Sequence, residues 1–410
     1  MKNFKRILKR ALASTMLLAV LMVSLLSVSA LADPGLVDNG TESASAVGKL
    51  SKVLEVTEGV EIPALSFEYL FTKVSVDTDT SDGVKATMPS LLTTTTFAAA
   101  QTGTPGTGTQ EGFELLDADS ANFLSGASWP HAGAYVYTVT EVASATPPLT
   151  STKQSITYSE AEYEMTVHVA NKSAYDNTLY VAAIEYRIKK DDAGDTPSNA
   201  DSKADPVFTN RYNVLTDLLI KKTVAGDYGD LTRKFDFSVT IKKSPAETAA
   251  TPTYIGKIYN INDPGPGGAQ IGSDVTVAFG AGDTTKVVGG IKLAHNEYIV
   301  FEGLPTGTTY SVTENLDDGA RPGEKDYLPS VEVKENGGTP TAGTGTAGVP
   351  YTVPETNLGE KANIAWFTNT HQDPSITGVL INNLPYIMMI LLAVGGLVVY
   401  IALKRRKASR

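Results

Sequence analysis

The pentapeptide Tyr137-Thr138-Val139-Thr140-Glu141 returns as Tyr310-Ser311-Val312-Thr313-Glu314. Its alternation predicts a β-strand, in which residues two apart share a face. Tyr and Val then point into a core and carry the terminal glutamate with them. A carboxylate on the apolar face of a strand is costly unless it is paired or kept neutral. One such glutamate could arise from an accident of register. Two in the same context are a repeated device, and they restrict the chain to a pair of similar β-rich units.

Other landmarks recur in the same order. Each unit opens with an aliphatic residue two before a lysine, Leu50 and Lys52 in the first and Ile220 and Lys222 in the second. Each closes on Phe-Thr-Asn, at Phe208-Thr209-Asn210 and Phe367-Thr368-Asn369. A repeat of about 160 residues is too long for a solenoid unit. Abundant glycine and proline, with little helical periodicity outside the termini, favour many turns. The predicted fold class is all-β, with two tandem immunoglobulin-like β-sandwich domains. Residues 206–212 and 218–224 are predicted as separate strands, one ending the first domain and one opening the second. Residues 93–110 and 337–349, rich in Thr and Gly, are predicted to be surface loops.

Both ends read as targeting segments. Lys2, Lys5, Arg6, Lys9 and Arg10 precede an apolar run that closes on Ala30-Leu31-Ala32, a small-residue cleavage pattern. Near the other end an apolar run is followed at once by Lys404, Arg405, Arg406 and Lys407, the pattern of a span that stops on the cytoplasmic side. The expected plan is a signal peptide at 1–32, a flexible leader at 33–46, domains at 47–212 and 213–371, and a sorting tail at 372–410. The tail holds a transmembrane helix at 386–403. The protein is thus expected to be exported and held at the cell surface by its C-terminus.

Without the ten basic residues of the two ends, 24 Lys and Arg face 45 Asp and Glu, a net charge near −21. Such a surface disfavours nucleic acid and anionic lipid. There is no cysteine, so no disulfide supports the fold outside the cell. Either core packing suffices or another covalent tie replaces it. His131, His168, His295 and His371 lack metal-ligand spacing, and no calcium loop, phosphate-cradling glycine loop or nucleophile-elbow serine is present. No metal and no cofactor is expected.

Strand parity places Lys52, Glu141 and Asn210 on apolar faces of the first unit, and Lys222, Glu314 and Asn369 on those of the second. Lys49 and Lys221 compete for the lysine positions, but parity turns them away from Leu50 and Ile220. If the first and last strands are neighbours, Lys and Asn can touch with the Glu nearby. Burial favours a neutral amine and a protonated carboxyl. A neutral amine is a nucleophile, and the acid can polarise the Asn carbonyl and relay protons. Attack on the amide expels ammonia and leaves a Lys–Asn isopeptide bond. The plainer alternative is a buried Lys–Glu pair beside an asparagine turn.

With these residues and the tail Asp373-Pro374-Ser375-Ile376-Thr377-Gly378-Val379, the chain resembles the backbone pilins of Gram-positive bacteria, of the streptococcal T-antigen type with two isopeptide-linkage domains. The resemblance implies a structural fibre subunit rather than a turnover enzyme. It implies cleavage by a sortase between Thr377 and Gly378, and joining of Thr377 to a lysine of the next copy, for which Lys203 stands in the right place. Implied partners are sortase, further copies of the chain, minor pilins and peptidoglycan. The sequence departs from the usual sorting motif, since Ser375-Ile376 interrupts Pro-Thr-Gly. An alternative function is a directly wall-anchored adhesin whose sandwiches form a stalk and whose host ligand is undefined.

Overall fold

A computed structural model describes residues 36–173, 176–260, 269–317, 323–372 and 376–408. The expected signal peptide, the first residues of the leader and the sorting residues Asp373–Ser375 lie outside the described residues.

The described residues form two β-sandwiches that share one strand. In the first, a six-stranded sheet contains Leu65–Val76, Gly133–Thr146, Glu162–Ser173 and Asp176–Lys190 as its long members. It faces Ser51–Thr57, which runs between Phe113–Asp119 and the strand Val207–Ala225. In the second, a four-stranded sheet of Thr285–Leu293, Phe235–Lys242, Thr309–Glu314 and Tyr351–Asn357 faces the other half of Val207–Ala225. That half lies between Glu297–Pro305 and Asn363–His371.

Val207–Ala225 is therefore the last strand of one sandwich and the first of the next. The position between 212 and 213, where two domains were expected to meet, falls inside it. The two predicted strands at 206–212 and 218–224 are one, because the intervening residues keep the period of two. From Phe208 to Val224 every second side chain is buried. Val214 and Thr216 continue the inward face across the junction, while Leu215 is exposed. Backbone groups at the junction are also occupied: the Leu215 N–H donates to the Lys153 carbonyl at 2.8 Å, and the Thr306 N–H to the Val214 carbonyl at 2.9 Å.

Each sandwich has an aromatic-rich core, with Tyr69, Tyr137, Tyr186 and Phe208 in the first and Phe235, Phe237, Phe301 and Phe367 in the second. The predicted loop at 93–110 contains the short strand Thr94–Phe97, whose Thr95 and Phe97 are buried. Low-complexity composition hid its period of two. The loop at 337–349 likewise contains a strand, Thr341–Thr344.

A helix, Ile376–Ala408, follows the second sandwich. Apolar side chains from Tyr386 to Ile401 are exposed along it. Among the described residues no helix is long and apolar enough to cross a membrane.

The shared strand makes a register prediction. Inserting one residue beside Leu215 reverses the parity of one half against the other and turns buried side chains such as Lys222 outward. It should cost more than roughly 3 kcal/mol, because it leaves a buried carboxylate unpaired. A two-residue insertion restores parity and should cost far less. Calorimetric unfolding of the two variants checks this, and equal losses would refute it.

Candidate functional site

Lys52 lies on Ser51–Thr57, Asn210 and Lys222 on the shared strand, and Asn369 on Asn363–His371. In both sandwiches the lysine and asparagine strands are parallel neighbours. Lys52 stands opposite Phe208 and Lys222 opposite Phe367, so each asparagine comes two residues further along, on the same face as the lysine. The register is identical in the two copies. Glu141 and Glu314 reach across from the opposed sheets, where they pair with Tyr69 and Phe237.

In the first sandwich, Lys52 Nζ donates to Glu141 Oε2 at 2.6 Å, and Asn210 Nδ2 donates to Glu141 Oε1 at 2.8 Å. The side chains of Lys52 and Glu141 are fully buried, as is Asn210. In the second, Lys222 Nζ lies 2.7 Å from Glu314 Oε1, and the same oxygen accepts from Asn369 Nδ2 at 2.8 Å. All three residues are buried. The Lys222 contact is an ion pair without hydrogen-bond alignment. Among the described residues, Glu314 Oε2 and Asn369 Oδ1 have no hydrogen-bond partner.

Aromatic rings enclose the amines. Lys52 Nζ sits 5.0 Å from the centre of the Phe67 ring, and Lys222 Nζ 4.3 Å from that of Phe235 and 5.9 Å from that of Phe237. Burial lowers both amines to about 8, against the partial opposition of the neighbouring carboxylate. Burial likewise raises both carboxyls, against the pull of the lysines. Each pair is therefore shifted toward amine and acid, the protonation states in which the amine attacks and the acid gives up a proton.

Residues 49–213 match the family described as Spy0128-like isopeptide containing domain, and residues 216–370 match a domain of unknown function, DUF7601. A curated pilin of Streptococcus pyogenes serotype M1 is 26% identical over 272 residues, covering 66% of this chain and 68% of the relative. The first sandwich is thus similar to the Spy0128-like isopeptide containing domains. Among solved structures, the major pilin of Streptococcus pyogenes aligns with a TM-score of 0.35 and 20% identity, over 79% of this chain and 98% of that one. The T3.2 major pilin of the same organism aligns with a TM-score of 0.30 and 18% identity, over 83% and 100%.

The remaining expected residues lie away from the two buried trios. Lys203 forms an isolated bridge with Arg187 and is partly exposed, with its amine 3.5 Å from Glu185. Thr377 and Gly378 fall in the first turn of the helix Ile376–Ala408. The competing Lys49 is turned outward toward Asp119, and Lys221 lies over the Trp366 ring. Among the described residues no cluster of potential metal ligands occurs.

Three residues near the trios carry no sequence signal. Ser159 and Asp192 lie in connections outside the period of two. Their contacts bring them to Asn210: the Ser159 N–H donates to Asn210 Oδ1 at 2.7 Å, and Ser159 Oγ donates to Asp192 Oδ1 at 2.5 Å. Glu324, in the short turn Glu324–Asp326, is buried and accepts the Asp317 N–H at 2.7 Å. Its charge raises both Lys222 and Glu314.

The lowered amines predict a pH dependence. In an Asn210→Ala/Asn369→Ala chain both lysines remain titratable. Between their folded value of about 8 and the ordinary 10.5, the unfolded chain binds more protons than the folded one. Stability contributed at these sites therefore rises with pH across that window. The thermal midpoint should climb relative to the same chain with Lys52→Met, Lys222→Met, Glu141→Gln and Glu314→Gln added. Parallel pH curves would show that the amines are not desolvated.

Proposed function

We propose that the chain is a structural subunit of a pilus shaft that cross-links each of its own sandwiches through Lys52–Asn210 and Lys222–Asn369. The observation that carries this is the recurrence of one register: lysine opposite phenylalanine, asparagine two residues along, and a buried carboxyl touching both. A plain buried ion pair needs no asparagine at that oxygen, and needs no repetition.

The chemistry balances within the trio. The lysine transfers one proton to the glutamate, leaving a neutral amine and an acid. The amine lone pair attacks the asparagine Cγ, and the carbonyl π pair moves onto Oδ1. The carboxyl takes a second proton from Nζ as it gives one to Nδ2, acting as a relay. The Cγ–Nδ2 bond breaks, ammonia leaves and the carbonyl reforms. Packing supplies the rate by holding amine and amide together. The glutamate is regenerated as an acid, so the reaction occurs once per sandwich and the protein is not a turnover enzyme.

The first bond would join Ser51–Thr57, which follows the short strand Leu36–Asn39, to the last strand of its sandwich, and the second would join first strand to last. By analogy with a disulfide closing a loop of more than a hundred residues, each would stabilise by on the order of 5 kcal/mol. We further propose that a sortase joins Thr377 to Lys203 of the next copy after export. Tension would then pass from Lys203 to Asn210, along the shared strand to Lys222, through the second bond to Asn369 and on to Thr377.

Intact-mass measurement of residues 33–371 should show a deficit of two ammonia molecules, and of one in Glu141→Ala or Glu314→Ala. The full calculated mass in the parent would overturn the cross-link. In cells that display the pilus, Lys203→Arg should abolish the high-molecular-weight ladder while leaving both ammonia losses intact. An unchanged ladder would exclude Lys203 as the acceptor.

A further inference from the structure

We propose that the backbone N–H of Ser159 stabilises the oxyanion formed during the first cross-link, and that Asp192 positions it. This rests on the self-cross-linking reaction proposed above and adds a component found at only one of the two described sites.

Negative charge develops on Asn210 Oδ1 when the Lys52 amine adds to Cγ. The Ser159 N–H already donates to that oxygen at 2.7 Å, in a buried position. A donor fixed on the atom that gains charge lowers the barrier without having to reorganise. The bond also orients the amide: with Oδ1 toward Ser159, Nδ2 faces Glu141 Oε1 and Lys52 faces Oε2. Each carboxyl oxygen then has one partner, Oε2 receiving the proton from Nζ while Oε1 delivers one to the departing nitrogen. Ammonia leaves, and the electron pair on Oδ1 returns to the carbonyl.

Asp192 holds this arrangement from both sides. Its Oδ1 accepts from Ser159 Oγ at 2.5 Å and from the backbone N–H of Thr209, the residue before Asn210, at 2.8 Å. Its carbonyl accepts the Glu160 N–H at 3.0 Å. One carboxylate oxygen thus ties the donor to the strand that carries its acceptor. The second sandwich differs: among the described residues Asn369 Oδ1 is buried with no donor, and Glu314 meets both lysine and asparagine through a single oxygen.

The test is a time course on the full chain made by cell-free synthesis, with peptide mapping to assign each ammonia loss to its cross-link. Replacing Ser159 by its α-hydroxy acid, which puts an ester oxygen in place of the N–H, should slow the first bond by about 10²-fold and leave the second at its parent rate. Asp192→Ala should slow the first bond roughly tenfold through misplacement of the donor. Asp192→Asn keeps the accepting oxygen and should restore most of the rate. A first bond that forms in the ester chain as fast as in the parent overturns the donor. Equal first-bond rates in the three Asp192 forms overturn its positioning role, as does an Asp192→Asn chain no faster than Asp192→Ala. Should Asp192→Ala slow both bonds alike through misfolding, the ester and Asp192→Asn chains decide. A parent that never loses the first ammonia counts against self-cross-linking itself.

Discussion

A lysine amine and a glutamic carboxyl, both stripped of water inside a sandwich, are the interaction on which the rest of this molecule depends. Neither group is stable there alone. As ions they need each other, and as neutral groups they need hydrogen bonds. Burial drives Lys52 and Lys222 toward the amine and Glu141 and Glu314 toward the acid. An asparagine amide on the same carboxyl makes a third outcome accessible. Amide formation removes the titratable amine permanently and leaves a group that needs no counterion. Under the proposed cross-linking, the burial cost of the unlinked site would also be a reason for the reaction to run forward.

Register converts that local chemistry into architecture. Parallel neighbours require a long crossover, and in each copy the crossover is nearly the whole sandwich. A bond between such neighbours encloses almost everything the sandwich contains. Because Asn210 and Lys222 lie on the same inward face of one unbroken strand, the two enclosures share a wall. In the proposed fibre, load entering one would leave through the other without a flexible linker between them. Under the proposed cross-linking, a chain without cysteine would place its covalent ties between parallel neighbours, the position at which pulling would otherwise shear the ladder.

What could be read from the sequence follows from the same physics. Lys52, Glu141, Asn210, Lys222, Glu314 and Asn369 stand out because each interrupts an apolar face whose period is strict, and a polar residue there has to be explained. The shared strand did not stand out. Asn213, Thr216 and Asp217 look like turn chemistry, whereas in the fold Asn213 and Asp217 occupy the outward parity and Thr216 is buried. Thr94–Phe97 was hidden because threonine alternating with threonine shows no contrast, although Thr95 bonds to the buried Tyr69 hydroxyl at 3.0 Å. Ser159 and Asp192 act through a backbone N–H and a loop contact, neither of which has a residue signature.

The two sites are alike in register and unlike in surroundings. In the first, the amide oxygen has a backbone donor and the carboxyl divides its oxygens between amine and amide. In the second, two phenylalanine rings close on the amine and one carboxyl oxygen serves both partners. Rotating the Asn369 amide by half a turn would bring its Oδ1 to that oxygen, where an acid proton could satisfy it, so the glutamate would have to polarise the carbonyl as well as relay protons. In the proposed reaction the first site would divide these tasks between Ser159 and Glu141. The two halves match different families yet hold the same three residue types, with lysine and asparagine in the same strand register. The geometric requirement is therefore narrow for the strand register and broad for everything packed around it.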